Sequence, residues 1–315
     1  MRLAVTDRCN FRCFYCMPVQ GITYIDKKEL LSYEQMERLL HLMAQMGVNK
    51  VRITGGEPFV RRGMLDFMKT VKGIDGIEHL HITTNGSLTA ELVPELKALV
   101  KSMNLSLDTL DKARFEAITR QKAYDRVMDT LHQAIEHQVA LKINMVVMEG
   151  QNTDDIVPMA ELTKNTPVAV RYIEEMPFNG EGERNPKLNW NHQRILDTLT
   201  AQYGPLEKLS DGPNSTSMNY AIAGHQGNVG IIAAHSRLFC GTCNRLRVTP
   251  QGMLRTCLYG GNDLDLRALL RNGTTDQGIQ QAIQAAVLRK AKNGFDAEQN
   301  QRNAPITESM STIGG

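Results

Sequence analysis

The sequence predicts an α/β protein, a partial (βα)6 barrel followed by a smaller α+β region. Two observations predict it: six apolar segments with strand character alternate with helical segments in the first half, and the chain becomes rich in Gly, Pro and Asn after Met176. Strands that alternate with helices form a parallel sheet with right-handed crossovers. We therefore expect a barrel core over residues 1–176 and a second domain over residues 177–315.

The first half contains all six predicted barrel strands. A capping box, Ser32 with Gln35, begins the first helix, which Gly47 ends. Further helices begin near residues 64, 90 and 154, and another ends near residue 137. The strands are predicted at residues 2–6, 50–54, 79–83, 103–107, 140–147 and 168–173.

Polar side chains interrupt the apolar strands of the barrel at every second position. Lys142 and Asn144 lie in the fifth strand, and Arg171 lies in the sixth. A packed barrel interior has little use for such residues, so they favour a barrel that binds a ligand. A sheet edge with one solvated face is the alternative.

The second half contains shorter elements. Loops are expected over residues 177–189 and 211–217, and a polar tail ends the chain. Strands are predicted at residues 218–223, 229–232, 245–249 and 253–256, and helices at residues 191–203, 265–271 and 276–290.

Composition excludes several classes of protein. The 315 residues carry 36 basic and 34 acidic side chains, a net charge of +2, which is too balanced for a general nucleic-acid coat. No apolar stretch approaches the roughly 20 residues that span a bilayer, and the N-terminus lacks a signal core. We expect a cytoplasmic protein that binds neither nucleic acid nor membrane.

The six cysteines form two groups of three, and a reducing cytoplasm disfavours disulfides between them. The first group has the spacing Cys-x3-Cys-x2-Cys. A structural zinc needs a fourth ligand, whereas an iron-sulfur cubane with three protein thiolates has one iron open to a ligand. The spacing favours the open iron. The two groups are Cys9, Cys13 and Cys16, and Cys240, Cys243 and Cys257.

Two motifs resemble those of the radical S-adenosylmethionine (SAM) superfamily. Residues 9–16, CNFRCFYC, resemble its cysteine loop, and residues 55–58, GGEP, resemble its glycine-rich segment. The resemblance implies a partial barrel of the radical SAM type in which three cysteines hold a [4Fe-4S] cluster. The open iron would bind SAM, and an electron from the cluster would cleave it to a 5'-deoxyadenosyl radical.

The second cysteine group resembles that of the GTP 3',8-cyclase family, also called molybdenum cofactor biosynthesis protein A. Residues 239–247, FCGTCNRLR, precede Cys257, and the chain ends in two glycines. The resemblance implies a second [4Fe-4S] cluster that contacts GTP. The radical would remove hydrogen from C3' of GTP, and the C3' radical would then attack C8 of guanine. Reduction of the resulting nucleobase radical by one electron and one proton would give (8S)-3',8-cyclo-7,8-dihydroguanosine 5'-triphosphate. This is the first step of molybdenum cofactor biosynthesis.

The resemblance also implies roles for single residues and for partners. Arg and Lys side chains that converge from several strands suit a triphosphate. The expected partners are an external electron donor, cyclic pyranopterin monophosphate synthase as the next enzyme, and a second copy of the chain in a homodimer. The family has a further stretch before its first strand, and no contacts of that stretch are carried over to this chain. The predicted site residues are Arg2, Arg52, Thr83, Lys142, Arg245 and Arg247 for GTP, Tyr15, Gly56, Ser106 and Met176 for SAM, and Arg171, Gly314 and Gly315 for catalysis.

Two alternative functions stay open. One is another radical SAM enzyme with an auxiliary cluster, such as a peptide maturase, although those carry more C-terminal cysteines than this chain has. The other is a zinc-binding module in which both cysteine groups are structural. A thioredoxin-like role for the pair Cys240 and Cys243 is disfavoured because this pair does not open a helix after a first strand.

Overall fold

A computed structural model describes residues 1–178, 188–301 and 308–314. Its strands form one sheet of twelve in the described part of the chain. The strands are β1 (Arg2–Ala4), β2 (Lys50–Thr54), β3 (His79–Thr84), β4 (Ser102–Ser106), β5 (Leu141–Val147), β6 (Ala169–Glu174), β7 (Glu207–Lys208), β8 (Met218–Ala221), β9 (Asn228–Ile232), β10 (Arg247–Val248), β11 (Met253–Arg255) and β12 (Leu264–Asp265).

The sheet continues from the predicted barrel into the second half of the chain. Strands β1 to β6 are parallel neighbours in sequence order, as predicted for a partial barrel. The second half adds β9, β8 and β7 at one edge and β10, β11 and β12 at the other. The division expected after Met176 stays a prediction, since strands from both sides of it share this sheet.

The helices pack their apolar faces on the outside of the sheet. The predicted capping box is confirmed, because Ser32 accepts from the backbone of Gln35, whose side chain bonds back to the cap. Met36, Leu39 and Leu40 on that helix are buried. The helices are α1 (Tyr33–Gln45), α2 (Met64–Lys72), α3 (Val93–Leu99), α4 (Lys112–Thr119), α5 (Tyr124–Glu136), α6 (Ile156–Glu161), α7 (His192–Tyr203), α8 (Leu266–Arg271), α9 (Asp276–Leu288), α10 (Gly294–Gln299) and α11 (Met310–Ile313).

The structure differs from the prediction in several short elements. The segment expected to form one helix up to residue 137 is two helices, since Arg120 adopts a left-handed conformation (φ 56°) that ends α4. Strands β7 and β12 and helices α10 and α11 were not predicted, because two to six residues are too few to show a period. Most of the loop predicted over residues 177–189 lies outside the described residues.

The polar positions of β5 and β6 face the inside of the curved sheet. Along β5 buried residues alternate with half-buried ones, and Lys142 and Asn144 are among the latter. The sheet-edge alternative is wrong, because β5 lies between β4 and β6, and β6 lies between β5 and β9. The polar side chains therefore line an interior and not an outer edge.

Candidate active site

The curved sheet encloses a cavity of about 310 Å³ whose walls come from both halves of the chain. It lies where the parallel strands end, as ligand sites do in α/β proteins. All six cysteines line it. The other predicted residues in its wall are Arg2, Tyr15, Arg52, Gly56, Thr83, Ser106, Arg171, Met176, Arg245 and Arg247.

The first cysteine group lies on the loop after β1, packed against the GGEP turn after β2. A Cβ on Gly56 would collide with the backbone of Arg8 and would lie 2.9 Å from Cβ of Cys9. Only glycine therefore allows the turn to support the cysteine loop this closely. Burial raises the pKa of Cys9 to about 12, and burial also raises the pKa of Cys13 well above its ordinary value. These thiols are free, and a bound cation would favour their thiolate form.

The glutamate of the GGEP segment joins this turn to the end of β3. Glu57 is fully buried and accepts hydrogen bonds from the amide of Asn85 (2.6 Å) and the hydroxyl of Thr84 (2.9 Å). Its burial raises its pKa to about 7. The Asn85 side chain in turn donates to Asn10 in the cysteine loop (2.9 Å). These bonds fix the loop relative to the sheet.

Asp108 holds the aromatic residue of the cysteine loop. The Tyr15 hydroxyl donates to Asp108 (2.9 Å), which also accepts from the amide of Val146 (2.8 Å). Burial raises the pKa of Asp108 to about 6. No local sequence pattern marks Asp108, because its partners lie 93 and 38 residues away.

The second cysteine group lies beside β10 with two cations next to it. Nε of Arg245 donates to Sγ of Cys243 (3.3 Å), and Nζ of Lys290 donates to the Cys243 carbonyl (2.8 Å). Burial raises the pKa of Cys243, but the charge and hydrogen bonds of Arg245 outweigh it, so that the net shift is downward. The site thus favours a thiolate, the form that binds iron.

Arginines from neighbouring strands point into the cavity without carboxylate partners. In the sheet register Arg2 lies between Arg52 and Arg247. Burial, and then the charge of the neighbouring arginines, lowers the pKa of Arg2 to about 10 and that of Arg52 to about 9. Within the described residues none of the three forms an ion pair. Burying cations without an anionic partner costs free energy, so these arginines favour the binding of an anion in the cavity.

The C-terminal segment, residues 308–314, connects the two cysteine groups. Ser309 donates to the carbonyl of Cys16 (2.7 Å), and Arg247 donates to the carbonyl of Gly314 (2.6 Å). Gly314 has φ +77°, and a Cβ there would lie 2.9 Å from Cβ of Ala4. Gly315 lies outside the described residues. Sequence reasoning missed Ser309, since the polar tail carries no motif around it.

Lys142 does not line the cavity wall. It pairs in register with Asn104, which does. Burial, followed by the charges of Arg171 and Arg52, lowers the pKa of Lys142 to about 8. Its assignment to the substrate stays a prediction.

Two family models together match almost the whole chain. The Radical SAM superfamily model matches residues 3–163, and the Molybdenum Cofactor Synthesis C model matches residues 168–295. A protein named GTP 3',8-cyclase from Heliobacterium modesticaldum is 40% identical over all of this chain and 97% of its own length. The chain belongs to the GTP 3',8-cyclase family of the radical SAM superfamily. Its cofactors are [4Fe-4S] clusters and SAM.

Other members of the family are longer than this chain. Human molybdenum cofactor biosynthesis protein 1 is 40% identical over 97% of the chain and 49% of its own length. The mitochondrial GTP 3',8-cyclase of Arabidopsis thaliana is 40% identical over 92% of the chain and 75% of its own length. The chain therefore spans about half the length of the animal relatives.

Solved structures share the radical SAM fold. Streptococcus suis SuiB bound to S-adenosylmethionine has a TM-score of 0.64 at 15% identity, over 96% of this chain and 67% of its own. The native anSMEcpe structure with bound AdoMet has a TM-score of 0.57 at 13% identity, over 94% and 81%. At such low sequence identity, the structural similarity shows the fold alone. It confirms the predicted fold class.

Two features are absent from the described residues, a membrane-spanning helix and a site for a single metal ion. No helix there is long and apolar enough to cross a membrane. No three His, Cys, Asp or Glu side chains there converge on a point where one metal ion could sit. The thiolates of an iron-sulfur cluster bind separate irons and need not converge in this way. The two triplets of free cysteines on one cavity suit such clusters.

Proposed function

We propose that the protein is a GTP 3',8-cyclase, which converts GTP to (8S)-3',8-cyclo-7,8-dihydroguanosine 5'-triphosphate in the first step of molybdenum cofactor biosynthesis. The observation that carries this proposal is a single cavity lined by both cysteine triplets and by unpaired arginines. Two sites for thiolate-bound clusters and a set of buried arginines that favours an anion suit a reaction between a nucleoside triphosphate and SAM. The name of the Heliobacterium relative supports the same activity.

Each cysteine triplet would hold one cluster. Cys9, Cys13 and Cys16 would hold the first, and Cys240, Cys243 and Cys257 the second. When bound, the first cluster supplies the electron for reductive cleavage of SAM. Tyr15, Gly56, Ser106 and Met176, all in the cavity wall, would bind SAM beside it.

The protein would position GTP by its charged end. Arg2, Arg52 and Arg247 form a row across three strands and would bind the phosphates, while Arg245 lies beside the second cysteine group. Thr83 and Lys142 would add contacts, and Arg171 and the terminal glycines would act near the ribose. Holding C3' close to both SAM and C8 would lower the entropic part of the activation barrier, because the reacting atoms are already positioned.

The remaining partners and the compartment are also proposals. A donor must supply electrons, and cyclic pyranopterin monophosphate synthase would receive the product. The protein would act as a homodimer. The free cysteines suit the reducing cytoplasm.

Product analysis tests the proposed function. Anaerobically reconstituted protein is incubated with GTP, SAM and dithionite, and the products are identified by mass spectrometry and NMR. We expect cyclised GTP and 5'-deoxyadenosine, neither of which should form with the triple variant of Cys9, Cys13 and Cys16 to Ala. Cleavage of SAM without any change in GTP would refute the cyclase and favour another radical SAM activity.

A further inference from the structure

A buried glutamate lies where β6 ends at the cavity. Glu174 is the last residue of β6, is fully buried and is among the residues that line the cavity. One carboxylate oxygen accepts from the amide of His192 (2.7 Å) and from the hydroxyl of Ser236 (2.8 Å), and the other accepts from the amide of Ser236 (2.7 Å). Because protein donors occupy both oxygens, Glu174 acts through these neighbours.

Ser236 lies in the turns between β9 and the second cysteine group. The carbonyl of the next residue, Arg237, accepts from the amide of Cys240 (3.1 Å). The carbonyl of Cys240 accepts in turn from the amide of Cys243 (3.2 Å). A short series of backbone hydrogen bonds therefore connects the residue that Glu174 holds to two of the three cysteines.

The third cysteine of the group is tied to the same turns. Tyr259, two residues after Cys257, donates its hydroxyl to the carbonyl of Ala234 (3.0 Å). The guanidinium carbon of Arg237 lies 3.6 Å from the centre of the Tyr259 ring. These turns contact both parts of the chain that supply the triplet, so their position relative to the sheet affects all three thiols.

Glu57 has the corresponding position for the first cysteine group. It is fully buried after β2 and accepts from an amide and a hydroxyl at the end of β3. One of those residues, Asn85, donates to Asn10 in the cysteine loop. Each cysteine group is thus joined to the sheet by a buried carboxylate at the end of a parallel strand.

We propose that Glu174 is a positioning residue for the second iron-sulfur cluster, because it fixes the turns before Cys240 to the end of β6. The inference rests on the proposed assignment of that cluster to Cys240, Cys243 and Cys257. A buried N–H group without an acceptor is costly. Gln has a single acceptor oxygen, so in either orientation of E174Q its NH2 group would face the buried amide of His192 or of Ser236.

The test measures the retention of each cluster separately. The full chain is reconstituted anaerobically in two backgrounds, one with only the second cysteine triplet and one with only the first, the other triplet being changed to Ala. E174Q, S236A and E57Q are added to each background, with E207Q as the matched control, since Glu207 is exposed on β7. Iron release to a chelator and the electron paramagnetic resonance spectrum are recorded, and circular dichroism verifies folding.

We expect E174Q to release the second cluster about 10- to 100-fold faster, the range by which residues that orient metal ligands change metal affinity. Its spectrum should change as well. S236A should have a smaller effect in the same direction, because the Ser236 amide still donates to Glu174. Neither variant should change release of the first cluster, whereas E57Q should accelerate that release alone, and E207Q should change neither.

Unchanged release of the second cluster in both E174Q and S236A would overturn the inference. Equal acceleration for both clusters would also overturn it, since that result indicates general destabilisation. If E174Q does not fold, S236A decides between these outcomes. If E174Q weakens only the second cluster but the wild type forms no cyclised GTP, the proposed function fails and this inference stands. If the wild type cyclises GTP but E174Q and S236A retain the second cluster normally, only this inference fails.

Discussion

Arg245 and Arg247 lie two residues apart beside the second cysteine group, but their side chains contact different partners. Arg247 is buried and bonds to the carbonyl of Gly314, whereas Arg245 contacts Cys243 and stacks on Phe239. The sequence predicted that both point at one ligand. The structure shows that both line the cavity.

Replacing either arginine by Ala should weaken GTP binding by about 1.5 to 3 kcal/mol, the usual contribution of a hydrogen bond to a charged group. Replacement by Lys should restore only part of the lost binding free energy, because lysine lacks the planar guanidinium group that can form two parallel hydrogen bonds. Equilibrium binding of GTP measures the effect, and R126A on the exposed face of α5 is the matched control. Unchanged affinity in both variants would remove these residues from the substrate site.

The charge of Lys142 should lower the stability of the substrate-free protein but favour the binding of GTP. Its pKa is about 8 in the folded protein and 10.5 in a free lysine, so below pH 8 burial of its charge costs stability. K142M should therefore raise the unfolding free energy of the substrate-free protein at pH 7 by about 1 to 3 kcal/mol. The gain should shrink as pH rises from 8 to 10.5.

Thermal or urea unfolding with and without GTP tests this prediction. In K142M, stabilisation by GTP should decrease, because the variant lacks the proposed contact of Lys142 with the phosphates. A variant with lower stability in the absence of GTP, or with undiminished stabilisation by GTP, would contradict the electrostatic account. K101M, a variant of an exposed lysine, is the control.

At the scale of elements, one loop carries the first cysteine triplet, whereas the second triplet comes from a 3-10 turn with its C-cap Cys243 and from Cys257, which follows β11. The loop after β1 rests on the GGEP turn, and the 3-10 turn Cys240–Thr242 rests beside β10. Within the described residues, no side-chain hydrogen bond joins a cysteine of one triplet to a cysteine of the other. Each triplet should therefore bind its cluster independently.

Substituting Cys9, Cys13 and Cys16 together by Ala should halve the iron and abolish SAM cleavage. Substituting Cys240, Cys243 and Cys257 should also halve the iron, but it should leave reductive cleavage of SAM detectable, since the first cluster remains. Iron analysis, electron paramagnetic resonance and 5'-deoxyadenosine formation are the measurements. The assignment would fail if zinc replaced iron, or if a folded triple variant lost all its iron.

At the scale of the whole molecule, residues 308–314 close the cavity between the two cysteine groups. Arg255 forms an ion pair with Glu308, Ser309 bonds to Cys16, and Arg247 bonds to Gly314. Ile313 is buried against Phe178 and Tyr259. Met310 and Ser311 of this segment line the cavity wall, whereas Gly314 does not. The role of the terminal glycines at the active site stays a prediction.

Deleting Gly314 and Gly315 should suppress GTP cyclisation while leaving folding, iron content and SAM binding intact. G314A should act in the same direction, because its φ is +77° and its Cβ would crowd Ala4 and Thr54. G273A is the matched control, with φ +81° and open space around its Cβ. Product formation at the full rate by the shortened protein would show that the tail has no role.

The sequence by itself determined most of the longer elements and the two cysteine groups. The capping box of α1 and the strand β2 lie where the local pattern predicted them, because helix caps and apolar periods are properties of neighbouring residues. The spacing of the cysteines and the GGEP segment were sufficient to predict the superfamily and the fold class. These features need no distant contact to be recognised.

Only the tertiary structure decided how these parts meet. The parallel pairing of β1 with β10 brings Arg2 beside Arg247, 245 residues apart, and places both cysteine triplets on one cavity. Asp108, Ser309 and Glu174 acquire their positions from strands and segments distant in sequence, so no local pattern marks them. Burial also decides which cations lack partners, since an arginine on a strand looks the same in the sequence whether it faces solvent or the cavity.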